Sequence, residues 1–209
     1  MNAVTTRDVG AELKGLRLHG MATAWAELTE QGGRHELAKS HWLLEHLLQA
    51  EATDRAMRSI RHQRSAARFP MHRDLAGFDF EASPVDEALI GRLATLEFTE
   101  AAHNVVLVGG PGTGKTHLAT ALGIAGITEQ GKRVRFHSTV DLVNALEQEK
   151  AQGKAGRIAA SLLRIDLVIL DELGYLPFSQ AGGALLFHLL SRLYEYTSVM
   201  ITTNLDFAE

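Results

Sequence analysis

The residues best suited to chemistry form one run, Gly109-Gly110-Pro111-Gly112-Thr113-Gly114-Lys115-Thr116, with His117 beside it. Glycines at this spacing let the backbone curl so that successive N–H groups aim at phosphate oxygens, and a helix beginning there adds the partial positive charge of its N-terminus. In that geometry Lys115 reaches the β- and γ-phosphates of a nucleoside triphosphate and the Thr116 hydroxyl ligates Mg²⁺. A glycine-rich turn without function would match the same string. The flanks decide between the two: Val105–Val108 reads as a strand running in, and Leu118–Leu122 as a helix running out, the setting a phosphate cradle requires.

Further along, Leu167-Val168-Ile169-Leu170 runs into Asp171-Glu172. The C-terminal ends of parallel strands open onto the crevice where a ligand sits, so Asp171 is placed to hold Mg²⁺ through its water shell and Glu172 to polarise an attacking water. Val199 to Thr203 forms another apolar run ending in Asn204, whose amide suits contact with a γ-phosphate. A strand-ending Asn in a turn is the alternative.

Charge is locally concentrated elsewhere. Arg55, Arg58, Arg61 and Arg64 recur every third residue, followed by Arg68 and Arg73, against only Glu51 and Asp54. On a helix each three-residue step drifts by about 60°, so these arginines fan across half the surface while Met57, Ile60 and Ala67 fall on the other half. Guanidinium groups suit bidentate contact with phosphates, but a solvated helix face fits the residues equally well. The ten histidines make no cluster of metal-ligand spacing. His41 and His46 read as packing or surface residues, Trp25 and Trp42 as core, and His117 as either a neighbour of the nucleotide or a helix-surface residue.

The elements that must position these groups fall into two regimes. Up to about residue 60, Val9, Leu13, Leu16, Met21, Trp25, Leu28, Leu43, Leu44, Leu47 and Leu48 recur at three- and four-residue intervals, which predicts short packed helices broken at Gly32-Gly33. Phe69-Pro70, Gly77 and Pro84 mark an irregular stretch. From Asn104, Val- and Ile-rich runs (105–108, 134–136, 167–170, 199–201) alternate with helical stretches, the pattern of a parallel sheet with crossover helices. The expectation is an α/β protein: a helical N-terminal domain over 1–68, a linker leading into the ATPase domain over 69–103, and the ATPase domain over 104–209.

Composition bounds the rest. The 209 residues carry 21 Lys+Arg and 25 Asp+Glu, a net charge of −4, so binding to nucleic acid by bulk charge is excluded and any basic surface is local. The absence of cysteine rules out disulfides, thiolate metal sites and a cysteine nucleophile. No run approaches 18 apolar residues, and the first residues lack the apolar stretch of a signal peptide. These features predict a cytoplasmic protein without membrane association.

Three segments together resemble one family: Val105 to Thr116, the strand with Asp171-Glu172-Leu173-Gly174-Tyr175-Leu176-Pro177, and Leu193 to Leu205. They are similar to the IstB-type helper ATPases of insertion sequences, relatives of the DnaC helicase loader within the AAA+ class. The phosphate loop alone points only to the superfamily; DELGYLP is much narrower. The resemblance implies a P-loop AAA+ fold, ATP with Mg²⁺, duplex DNA and a transposase as partners, and a homo-oligomer when full length. It makes Gly109 to Thr116 the Walker A loop, Asp171 and Glu172 the Walker B pair, Asn204 the sensor residue, and the helix carrying Arg55, Arg58, Arg61, Arg64 and Arg68 a DNA-binding element. Family members usually carry Arg at the place of Tyr196, and they continue past Asn204 through a further strand and a helical lid with a finger arginine. The sequence here stops at Glu209. The corresponding expectation is weak ATP turnover and weak oligomerisation. Two other functions stay open: a helicase loader with the same ATP site, and a relic of the helper that binds ligands without turning over ATP.

Overall fold

A computed structural model describes residues 8–30, 34–174 and 178–204, the side chains of 34–40 excepted. Gly32-Gly33 and the Tyr175-Leu176-Pro177 part of DELGYLP lie outside the described residues. The chain divides into two compact units, 1–59 and 60–209. The first holds α1 (Val9–Gly15), α2 (His19–Glu30) and most of α3 (Arg34–Ala67). Asp8 caps α1 by accepting the Ala11 N–H at 3.1 Å. Val9, Leu13, Ala22 and Leu48 are buried, with Leu16, Leu18, Trp25 and Leu44 packed against them.

The periodicity predicts helices here, as found, but as short ones, whereas α3 runs unbroken for 34 residues; it also over-counts their core. Met21, Leu28, Leu43 and Leu47 are exposed, and so is Trp42, at 69%, its ring stacked on His46. Two short helices, α1 and α2, laid with part of the 34-residue α3 supply too little surface to bury every apolar position of the repeat. Met57 on α3 is likewise exposed, whereas Ala67 is fully buried in the second unit and Ile60 packs there too.

The second unit is built on four parallel strands, β1 (Val105–Val108), β2 (Val134–Ser138), β3 (Leu167–Leu173) and β4 (Ser198–Thr203). Their order is β1-β4-β3-β2, matching the 1-4-3-2 part of the AAA+ order 5-1-4-3-2 that the resemblance implies. Period-2 alternation divides the inner strands between two cores. Leu167, Ile169 and Met200 face one side and pack with α5 (Lys115–Thr128). Val168, Leu170, Val199 and Ile201 face the other and pack with α6 (Thr139–Ala151), α7 (Arg157–Leu162) and α8 (Gln180–Leu193). Strands covered on both faces read as continuous apolar runs, which is why they stand out in the sequence.

The stretch expected as a linker packs into the second unit instead. Phe69, Leu75, Phe78, Phe80, Val85 and Phe98 surround the α5 core, together with α4 (Glu87–Ala94) through Ile90 and with the buried Leu96. Pro70, Gly77 and Pro84 give irregular backbone, but the aromatic residues of the stretch supply the apolar area that covers this face of the sheet. Gly123 of α5 lets the helix press close: a Cβ there would meet Phe69 at 2.8 Å and Ile169 at 2.9 Å.

Candidate nucleotide site

The phosphate loop is the turn between β1 and α5. Gly112 and Gly114 adopt left-handed φ values of 77° and 86°, a region that favours glycine. Thr113 Oγ1 donates to the Gly110 carbonyl at 2.9 Å, stapling the loop. The Gly109 N–H donates to the Thr203 carbonyl, fastening the loop's start to the end of β4. α5 begins at Lys115 on the Gly114 cap with no side-chain capping bond. Its first N–H groups therefore have no partner within the helix. Lys115 Nζ donates to the carbonyls of Gly109 (2.6 Å) and Gly110 (2.8 Å), which holds the ammonium over the loop.

The second set of residues arrives from β3 and β4. Thr116 Oγ1 donates to Asp171 across 55 positions of sequence, at 2.9 Å to Oδ1 and 3.1 Å to Oδ2. Asp171 is buried, only 7% exposed. Its carboxylate and the Thr116 hydroxyl offer hard oxygen donors side by side, a set that suits Mg²⁺, which fills its other positions with water and phosphate oxygens. A cavity of about 410 Å³ is lined by Pro111 to His117 together with Glu172, Thr202, Thr203 and Asn204. The structure thus brings the loop, the acidic pair and the β4 terminus to one place. His117 lines the cavity too, but its Nε2 lies 2.9 Å from the Asp74 carbonyl, and its ring meets Phe78 edge-on at 5.4 Å.

Two residues were not legible as part of this site. Thr139 Oγ1 donates to the Asp171 carbonyl at 2.7 Å, and Thr202 Oγ1 donates to Asp171 Oδ1 at 2.5 Å. For Thr202 a signal existed: two positions before Asn204 on a strand, it shares that residue's face. Thr139 opens a different helix and carried none.

A family model, described as IstB-like ATP binding protein, matches residues 11–209. The chain belongs to the IstB-like ATP-binding proteins. This IstB-like chain is 34% identical over 195 residues to a candidate ATP-binding protein of insertion sequence IS5376 from Geobacillus stearothermophilus, covering 93% of this chain and 77% of that one. To a candidate ATP-binding protein of insertion sequence IS21 from Pseudomonas aeruginosa it is 36% identical over 198 residues, 94% of this chain and 74% of the other. Among solved structures it resembles the DnaC helicase loader, with a TM-score of 0.53 at 30% identity over 57% of this chain and 68% of that one. DnaA from Aquifex aeolicus shares the fold, with a TM-score of 0.55 at 22% identity over 65% of this chain and 43% of the other. The fold is that of a P-loop AAA+ protein.

The arginines of this IstB-like protein fall into two groups. Arg55 pairs with Glu51 at 2.5 Å and donates to the Leu16 carbonyl at 2.7 Å, closing the C-terminal end of α1. Arg58 meets Asp54 at 2.8 Å and Glu51 at 3.6 Å. In the second unit Arg64 hydrogen-bonds His72 at 2.9 Å, and among the described residues Arg61, Arg64 and Arg68 meet no carboxylate. Arg68 follows α3 with a left-handed φ of 61°. It bears on Arg135 and His137: burial first, then the Arg68 charge, lowers the affinity of both groups for their protons, with Arg135 adding to the effect on His137 and Asp141 opposing it. Among the described residues no helix is long and apolar enough to cross a membrane.

Proposed function

We propose that this chain is an ATP-hydrolysing, DNA-binding helper that assists a transposase. The convergence of the phosphate loop, Glu172 and Asn204 on one cavity, with Asp171 bonded to the Thr116 that lines it, carries the reading. Membership in a family whose relatives are named for insertion sequences supplies the biological setting. In this reading the α5 N-terminus and loop amides receive the phosphates, and Lys115 exchanges its loop carbonyls for β- and γ-phosphate oxygens. Thr116 and Asp171 hold Mg²⁺, which supplies charge neutralisation at the transferring phosphoryl group. Glu172 orients and deprotonates water, and the Asn204 amide contacts the γ-phosphate. Arg61, Arg64 and Arg68, with no carboxylate to satisfy them among the described residues, are the groups offered to duplex DNA; homo-oligomerisation on that DNA follows the family pattern.

The test measures binding of a fluorescent ATP analogue and hydrolysis of ATP with and without duplex DNA and a purified transposase. We expect Mg²⁺-dependent binding that Lys115→Ala abolishes, and a hydrolysis rate that responds to DNA or transposase. Equal affinity of parent and Lys115→Ala overturns the nucleotide assignment. A helicase-loading role is favoured by the likeness to the DnaC helicase loader. A rate that responds to a replicative helicase and ignores transposase would select it.

A further inference from the structure

We propose that Thr202 is the positioning residue for both acidic groups of the site, a single hydroxyl that fixes the Asp171 carboxylate and the Glu172 backbone together. The inference rests on the ATP·Mg²⁺ reading and adds to it a residue that no motif assigns. Between β3 and β4 the ladder runs regularly to Leu170↔Ile201 and resumes at Leu173↔Thr203. Two residues of β3, Asp171 and Glu172, therefore oppose one residue of β4, Thr202, which is a β-bulge. Bulges aim side chains off the regular pleat at the expense of ladder hydrogen bonds. Glu172 shows the consequence: its φ is 62°, left-handed for a residue with a Cβ.

The displaced groups are satisfied by threonines. Thr139 donates to the Asp171 carbonyl at 2.7 Å. Thr202 Oγ1 accepts the Glu172 N–H at 2.9 Å and donates its own proton to Asp171 Oδ1 at 2.5 Å. A hydroxyl has one proton and two lone pairs, and here one of each is committed in a residue only 1% exposed. The Thr202 proton, with that of Thr116 on the same Oδ1, sets the rotation of the carboxylate, and the accepted N–H holds the backbone turn that points Glu172 into the cavity. Partners behind a metal-holding carboxylate commonly govern metal affinity. Valine has the size and branching of threonine and can make neither bond.

Two readouts test the assignment in the 209-residue chain, comparing the parent with Thr202→Val and Thr202→Ser. The first is the gain in affinity for a fluorescent ATP analogue on replacing EDTA by Mg²⁺. We expect Thr202→Val to lose about tenfold or more of that gain, within the 10- to 100-fold usual for such partners, and Thr202→Ser to keep it within about twofold. The second is hydrogen exchange at the Glu172 amide, protected in the parent and in Thr202→Ser and fast in Thr202→Val. A purely structural role moves neither the Mg²⁺-specific gain nor its rescue by serine. Should Thr202→Val fail to fold, Thr202→Cys, with a weak thiol donor, replaces it under the same expectations. An unchanged Mg²⁺ gain and unchanged exchange in Thr202→Val, or a serine variant as impaired as valine, overturns the inference alone. A parent without Mg²⁺-dependent nucleotide binding overturns the ATP reading and this inference with it.

Discussion

The Phe78 ring occupies the space beside Gly114 where any other residue would carry its Cβ: a Cβ built on Gly114 would lie 2.5 Å from Phe78 Cε2. Gly114 also holds a φ of 86°. Backbone and packing thus require glycine there independently, and Phe78 belongs to the aromatic stretch that clasps the start of α5 through His117 and Asp74. Gly114→Ala is expected to destabilise the second unit by about 2–4 kcal/mol, combining left-handed strain with overpacking. Gly110, with open space around its Cβ position, should tolerate Ala within about 0.5 kcal/mol. Urea denaturation of the two variants checks the contrast; equal losses would contradict it.

The arginines should separate by experiment as they do in space. Replacing Arg61, Arg64 and Arg68 by Gln is expected to weaken duplex binding and flatten the slope of log K against log salt by about 0.9 for each DNA phosphate that is no longer neutralised. Replacing Arg55 by Gln should leave that slope unchanged and lower the stability of the first unit, because its guanidinium is spent on Glu51 and the Leu16 carbonyl. Fluorescence anisotropy over a salt series, alongside thermal melts, distinguishes the outcomes. A triple variant with the parent's slope would remove these arginines from the DNA interface.

Acid stability should depend on the junction of β2 and β3. Burial pushes the Asp166 carboxyl up, but the Arg133 guanidinium (2.6 and 3.0 Å) and backbone N–H (2.7 Å) outweigh it and hold the group below its ordinary value. A carboxylate with a depressed folded value stabilises above the unfolded value, about 3.9; that stability is lost as pH falls through the folded value. Asp166→Asn should therefore be less stable than the parent at pH 7, with the gap closing toward pH 3. Denaturant midpoints at the two pH values measure it, and a pH-independent gap would refute the linkage.

His137 should act in a higher window. Burial, then the Arg68 and Arg135 charges, lower its proton affinity, with Asp141 opposing. Its Nε2 is buried and meets no hydrogen-bond partner among the described residues. The unfolded chain takes up the proton near pH 6.5 while the folded chain refuses it, so stability falls as pH drops from about 6.5 toward the folded value. His137→Gln should show a shallower decline between pH 7.5 and 5.5. Parallel unfolding curves for parent and variant would show that His137 carries none of it.

The local pieces of this site are readable in the order of residues. The phosphate loop is contiguous, its glycines and Lys115 imposed by the conformation and charge that phosphate demands, and the apolar runs of β3 and β4 announce strands covered on both faces and ending in Asp171, Glu172 and Asn204. Such signals lie within a few residues of one another, where propensity and periodicity operate. Which distant residues share a hydrogen bond emerges from the packed fold. Thr202 meets Asp171 and Glu172 across 31 and 30 positions because a bulge shifts the β3–β4 register by one residue, and no alternation of residue types reports a bulge. The packed fold also decided that 69–103 covers one face of the sheet, that Arg55 and Arg58 are bound to nearby acids, and that Trp42 lies outside its helical core. In each case the outcome turned on which surfaces remain to be covered once the elements pack, a quantity that belongs to the assembled fold and to no single segment.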